Sequence, residues 1–151
     1  MKTLLILITS LCFAINSFAQ INETFFSEVQ TLVEKANGKK IVDLMGNDTK
    51  IDHQIFSQDL VSFTHIGLGK YGSEWVFDYT GMDFKKINYY LWQENSNDNL
   101  YRLVIEFGNN VLVHQHVKGE VSDKRATSSM EMHFLAKDYD KMDQIFKQYF
   151  R

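Results

Sequence analysis

Proline is missing from this chain altogether: none of its 151 residues is one, where average usage of about 5% would supply several. Its turns must therefore be built by glycine, asparagine and aspartate. Cysteine is nearly missing too. The one example, Cys12, sits inside the N-terminal apolar run, so the rest of the chain must be held by its hydrophobic core and not by disulfides. There is no long run of like charge, no low-complexity stretch and no repeat of fixed period. The pattern G-x-S-x-G is absent, as are the kinase elements H-R-D and D-F-G. No serine or threonine is set beside a histidine and an acid by a known motif. No catalytic residue and no cofactor is expected on these grounds.

What is present begins with an export signal. Lys2 supplies a short positive region, Leu4 to Ile8 and Leu11 to Ile15 an apolar one, and Ser17-Phe18-Ala19 the small residues that precede a signal-peptidase cut. The apolar run is shorter than the roughly 20 residues that cross a bilayer. Lipidation at Cys12 would want a small residue before it, where Leu11 stands. Residues 1–19 are thus expected to be a signal peptide and 20–151 a single exported domain, periplasmic or extracellular, with no transmembrane segment in the mature chain. The signal takes one lysine and no acid with it, leaving 15 basic against 19 acidic residues, a net charge of −4. A mildly acidic surface argues against nucleic acid as a partner.

Periodicity then divides the mature chain. Phe25, Phe26, Val29, Leu32, Val33 and Ala36 form one stripe at helical spacing, with Asn22 as N-cap and Asn37-Gly38 as the stop. Ile41 to Met45 reads as a short strand, and residues 48–57 carry no clear period. From Asp59 the period falls to two. Segments 59–66, 74–80, 86–94, 99–107, 111–118 and 130–137 are rich in aromatic and β-branched residues, with short polar turns between most of them and a longer polar stretch at 119–129. A last helix is expected over 138–150, capped by Asp138, with Tyr139, Met142, Ile145, Phe146 and Tyr149 buried. The fold class is α+β: an antiparallel meander of six to seven strands, as a curved sheet or small barrel, flanked by an N-terminal and a C-terminal helix.

This element order, strands closed by a C-terminal helix over about residues 40–150, resembles the pleckstrin-homology-like fold. The resemblance implies a binding or scaffold module without catalysis. It does not imply a phosphoinositide reader, because the Gly67–Gly72 loop carries a single lysine, Lys70. A cystatin-like arrangement, with the first helix cradled by the sheet, is the alternative.

Few motifs carry chemistry. Gly67-Leu68-Gly69-Lys70-Tyr71-Gly72 spells G-x-G-x-x-G. The dinucleotide loop must open a helix, whereas Glu74 to Tyr79 alternates like a strand, so a hairpin turn is expected. His114-Gln115-His116 puts two imidazoles on one face of a strand, and Glu131 and His133 could complete a metal site. A three-residue loop at Gly108–Asn110 would match apolar residues best across the hairpin, and would set His114 and His116 on the face of Arg102, Val104 and Glu106. Asp138, Asp140 and Asp143 suit the start of a helix. Asn22-Glu23-Thr24 and Asn47-Asp48-Thr49 are glycosylation sequons.

Segment 86–94 is apolar on both faces: Ile87, Tyr89 and Leu91 on one, Tyr90 and Trp92 on the other. Tyr90 and Trp92 are accordingly the candidate binding residues, because such rings join a large apolar body to a polar tip. The expectation is a non-enzymatic binding or interaction domain acting on a protein partner or a small apolar ligand. A metal-dependent protein using the His-x-His pair is the alternative.

Overall fold

The stripe that begins at Phe25 coils as its spacing demands. In the computed structural model, which describes residues 21–42, 46–69, 72–94, 96 and 98–150, helix α1 runs Ile21–Val33 and tightens into a 3-10 turn at Glu34–Ala36. All six stripe residues are buried. Asn22, expected to precede the helix, lies within it. Gly38 then reverses the chain at a positive φ of 83°, a conformation that costs glycine little. Residues 1–20, which include the expected signal peptide and Cys12, fall outside the described residues, as do 43–45, Lys70, Tyr71, Asn95, Asn97 and Arg151.

Seven antiparallel strands follow in one curved, unclosed sheet: β1 Lys40–Val42, β2 Asp48–Phe56, β3 Val61–Gly67, β4 Glu74–Thr80, β5 Ile87–Gln93, β6 Leu100–Val117 and β7 Glu120–Leu135. A 3-10 turn at Ala136–Asp138 leads into α2, Tyr139–Tyr149. The α+β class, the curved sheet and the two flanking helices are as the sequence suggests. Consecutive pairing fails at one place. β4 pairs with the C-terminal half of β6, Trp75↔Val117 to Thr80↔Leu112, while β5 pairs with its N-terminal half, Ile87↔Phe107 to Gln93↔Tyr101. β7 runs along the other side of β6 throughout.

One unassigned segment is placed here and three expectations are corrected. Residues 48–56, which carried no clear period, are strand β2; its rhythm is broken by a bulge between Asp52 and Ile55, where His53 takes a φ of 46°. Gly108-Asn109-Asn110 is no hairpin loop but an irregularity inside β6, and the polar residues 120–129 are strand. The real hairpin turns at Lys118-Gly119, both at positive φ, which suits the twist of a two-residue connection. Asp138 makes no capping hydrogen bond; its carboxylate meets Lys35 at 3.3 Å and ties the two helical ends together. The Gly67–Gly72 segment does connect strands β3 and β4, and a side chain at Gly72 would collide with the Gly67 carbonyl.

The core lies between the helices and the sheet. Phe146 of α2 packs edge-on to Phe25, centroids 5.2 Å apart, and tilts over Tyr89 of β5 at 4.6 Å. Met142 and Ile145 are buried beside it. Two glutamines stitch the sheet to its surroundings. Gln30 of α1 accepts from the Phe56 N–H (2.6 Å) and donates to the Gln54 carbonyl (3.1 Å). The Gln54 side chain, aimed inward by the bulge, accepts from the His133 N–H (2.8 Å) and donates to the carbonyls of His133 (2.9 Å) and Val33 (2.6 Å). It spans the gap between β2 and β7 that no backbone ladder closes, and is 2% exposed.

Candidate functional site

The register fixes which side chains share a face. In β6, Glu106 stands opposite Ser129 and Val111 opposite Thr127. Five steps along β6 match two along β7, so three extra residues enter and the faces of β6 exchange. The Arg102, Val104 and Glu106 face is therefore continuous with Val111 and Val113, not with the histidines. His114 and His116 lie on the reverse, with Asp78, which corrects the expectation for them. His116 Nε2 sits 3.1 Å from Asp78 Oδ2. Glu131 and His133 fall on the Arg102 face, opposite Val104 and Arg102. The four candidate metal ligands are thus split two and two across the sheet, and among the described residues no three His, Cys, Asp or Glu side chains are grouped to hold an ion.

What gathers on the Arg102 face is a polar network that sequence spacing did not show. His133, 2% exposed, has its Nε2 3.2 Å from Glu94 Oε2. Arg102 grips Glu94 with Nε (2.9 Å) and Nη2 (3.3 Å) and reaches Glu131 Oε2 with Nη1 at 3.0 Å. Such forked pairs are directional and charge-assisted. The His133 hydrogen bond, with the charges of His133 and Arg102, holds the Glu94 carboxyl below its ordinary range although burial pushes it up. Burial would lower the Arg102 guanidinium, but the carboxylates of Glu131 and Glu94 outweigh it and raise it. Tyr79, on the same face opposite Val113, is pushed up to about 12, chiefly by burial and then by the charge of Glu131, with Arg125 opposing. His65 approaches from β3, its ring 5.8 Å from that of His133 and 4.8 Å from Phe63.

The network is shielded at its centre: the His133 and Glu94 side chains are 2% and 7% exposed. It fastens the segment after β5 to β6 and β7.

The open part of the face is β5. Tyr90 and Trp92, the candidate binding residues, stand opposite Val104 and Arg102 and are 42% and 60% exposed. Tyr90 donates from its hydroxyl to Glu106 (3.2 Å), which fixes the ring. Their reverse neighbours Ile87, Tyr89 and Leu91 pack into the core. Beside Tyr90 lies an open depression of about 470 Å³ lined by Lys86, Ile87, Asn88, Glu106, Phe107, Gly108 and Ser128. None of these belongs to the His133 network. Among the described residues, no helix is long and apolar enough to cross a membrane.

The chain matches no protein-family model, no curated protein and no solved structure.

Proposed function

We propose that this chain is an exported, non-enzymatic binding domain whose partner is a protein and whose contact surface is the Tyr90 and Trp92 face of β5. One observation carries the reading: two large aromatic side chains stand exposed, side by side, on a strand whose other face is locked into the core. Rigid aromatic anchors of this kind dominate protein interfaces. A small apolar ligand is the weaker occupant, because the neighbouring depression is open and lined by Lys86, Asn88, Glu106 and Ser128. The metal reading has less support again, since its four residues lie on two faces. Export rests on the N-terminal sequence alone, and the pleckstrin-homology-like likeness on the order of strands and the C-terminal helix.

A photo-reactive benzophenone side chain placed at Trp92 in the exporting host should trap one discrete protein adduct. The same group at exposed Val121, on the far end of β7, should not. Equal labelling from both positions would sink the reading.

A further inference from the structure

A sheet that does not close must finish its edges, and this one places side-chain partners on outward peptide groups of β1, β2 and β7. At β1, the outward N–H of Lys40 donates to Asp98 Oδ2 (2.7 Å) and its carbonyl accepts from Ser96 Oγ (2.5 Å). Along β2, Gln30 takes Phe56 N–H and the Gln54 carbonyl, and Asn37 Oδ1 accepts from Gln54 N–H (3.1 Å). On β7, Gln54 takes both groups of His133, and the Thr127 hydroxyl takes both groups of Ser129, at 3.1 and 3.3 Å. Beyond Thr127, the strand carries Asp123, Lys124 and Arg125 in solvent, charges that discourage edge pairing.

β5 has none of these devices. Glu94 N–H bonds Leu100 O (2.9 Å) and Gly108 N–H bonds Lys86 O (3.2 Å). These two bonds set the alternation of the β5–β6 ladder: the even residues of β5 face β6, and the peptide groups of Ile87, Tyr89, Leu91 and Gln93 point off the outer edge. No partner for them occurs among the described residues. The strand holds no proline, no bulge and no inward charge. At its N-terminal end, Lys85 and Lys86 are exposed and form no ion pair among the described residues.

We propose that β5 is a docking edge, on which an extended segment of a partner protein adds as a further strand. The proposal rests on the reading of the Tyr90 and Trp92 face as a protein-binding surface, and names how the partner is held. Alternating free donors and acceptors are matched by another extended backbone. Side chains of that segment on the open face lie beside Tyr90 and Trp92, and an acidic residue near one end pairs with Lys85 and Lys86.

The probe is a phage-displayed library of random decapeptides, selected on the full exported chain and followed by synthesis of the enriched peptides. Enriched peptides should alternate apolar residues and carry an acid near one end. N-methylation at every second peptide amide should weaken binding at least tenfold in one phase and leave it unchanged in the other. Gln93→Pro, which deletes one outward N–H, should weaken binding at least threefold with the melting temperature unchanged. Amide exchange at Tyr89 and Leu91 should slow in the complex. If enriched peptides bind with equal loss from either N-methyl phase, and Trp92→Ala abolishes binding, the strand-addition proposal falls while the binding surface stands. If no decapeptide is enriched, the proposal falls. A dimer of this chain that Gln93→Pro splits would overturn it as well.

Discussion

β5 and β7 flank the same strand, β6, yet they end the sheet in opposite ways. β7 is long, polar on its exposed half, and has its outward peptide groups at His133 and Ser129 taken by Gln54 and Thr127. β5 is short, aromatic, and leaves four outward peptide groups without partners among the described residues. Burial explains part of the contrast. The Gln54 bridge lies in the interior, where an unpaired amide costs about 1–3 kcal/mol, so a substitute partner is worth keeping. At β5 the edge can turn to water. An open edge invites pairing with other chains, and it is the bareness of the aromatic edge, beside the partly capped ones, that supports docking there.

Removing the cap should have the largest effect. Gln54→Ala would strand the N–H and carbonyl of His133 and the carbonyl of Val33 in the interior. A loss of about 3–5 kcal/mol is expected by denaturant unfolding. Faster amide exchange at His133 than at Met132 should accompany it. A loss under about 1 kcal/mol would mean that water replaces the amide at no cost, and the two edges would then differ less than their geometry implies.

Tyr79 tests the β7 side of the face by pH. Its folded-state pKa, about 12, lies above the ordinary 10, so the folded state keeps a proton that the unfolded chain has released. Stability is therefore complete below about pH 10 and falls as pH rises towards 12, by about 2–3 kcal/mol for a shift of this size. Tyr79→Phe should flatten that alkaline limb in unfolding curves taken between pH 9 and 12. If both proteins lose stability alike, other groups carry the effect.

Glu94 joins the two edges, since it follows β5 and bonds His133 of β7. Its folded pKa is depressed, so its contribution is present above the ordinary glutamate range and is lost as pH falls through and below it. Acid destabilisation should be gentler in Glu94→Gln, which starts about 1–2 kcal/mol weaker at neutral pH. Parallel acid limbs would show that the network does not couple the strands.

These contrasts also explain what could be read from the residues alone. Both helices were legible because Phe25 to Ala36 and Met142 to Phe146 bury one stripe each. Tyr90 and Trp92 stood out because β5 is apolar on both faces. β2 was hidden by the His53 bulge, which breaks a period of two. The exposed half of β7 was hidden because neither of its faces meets the core, so no alternation marks it. Gly108-Asn109-Asn110 has the composition of a turn but serves as three extra residues in β6, and that slip moved His114 and His116 to the reverse face. The His133–Glu94–Arg102 network and the glutamine caps join residues far apart in sequence, and no local pattern announces such pairs.

The smallest expected effect is the most discriminating. Gln93 is exposed, and by the alternation of the ladder its N–H points away from β6. Proline there removes a donor that nothing among the described residues accepts, and it fixes a φ that an edge strand tolerates. Trp92, before it, is already extended, as a residue preceding proline prefers. The change in folding stability should stay within about 0.5 kcal/mol, the range of neutral surface substitutions. The same substitution at Lys40, whose N–H is held by Asp98 at 2.7 Å, should cost more, about 1 kcal/mol, because it breaks a charge-assisted hydrogen bond. Both values come from one set of urea curves. A larger loss at Gln93 than at Lys40 would mean that the outer edge of β5 already has a partner in the folded chain, and the contrast between the edges would collapse.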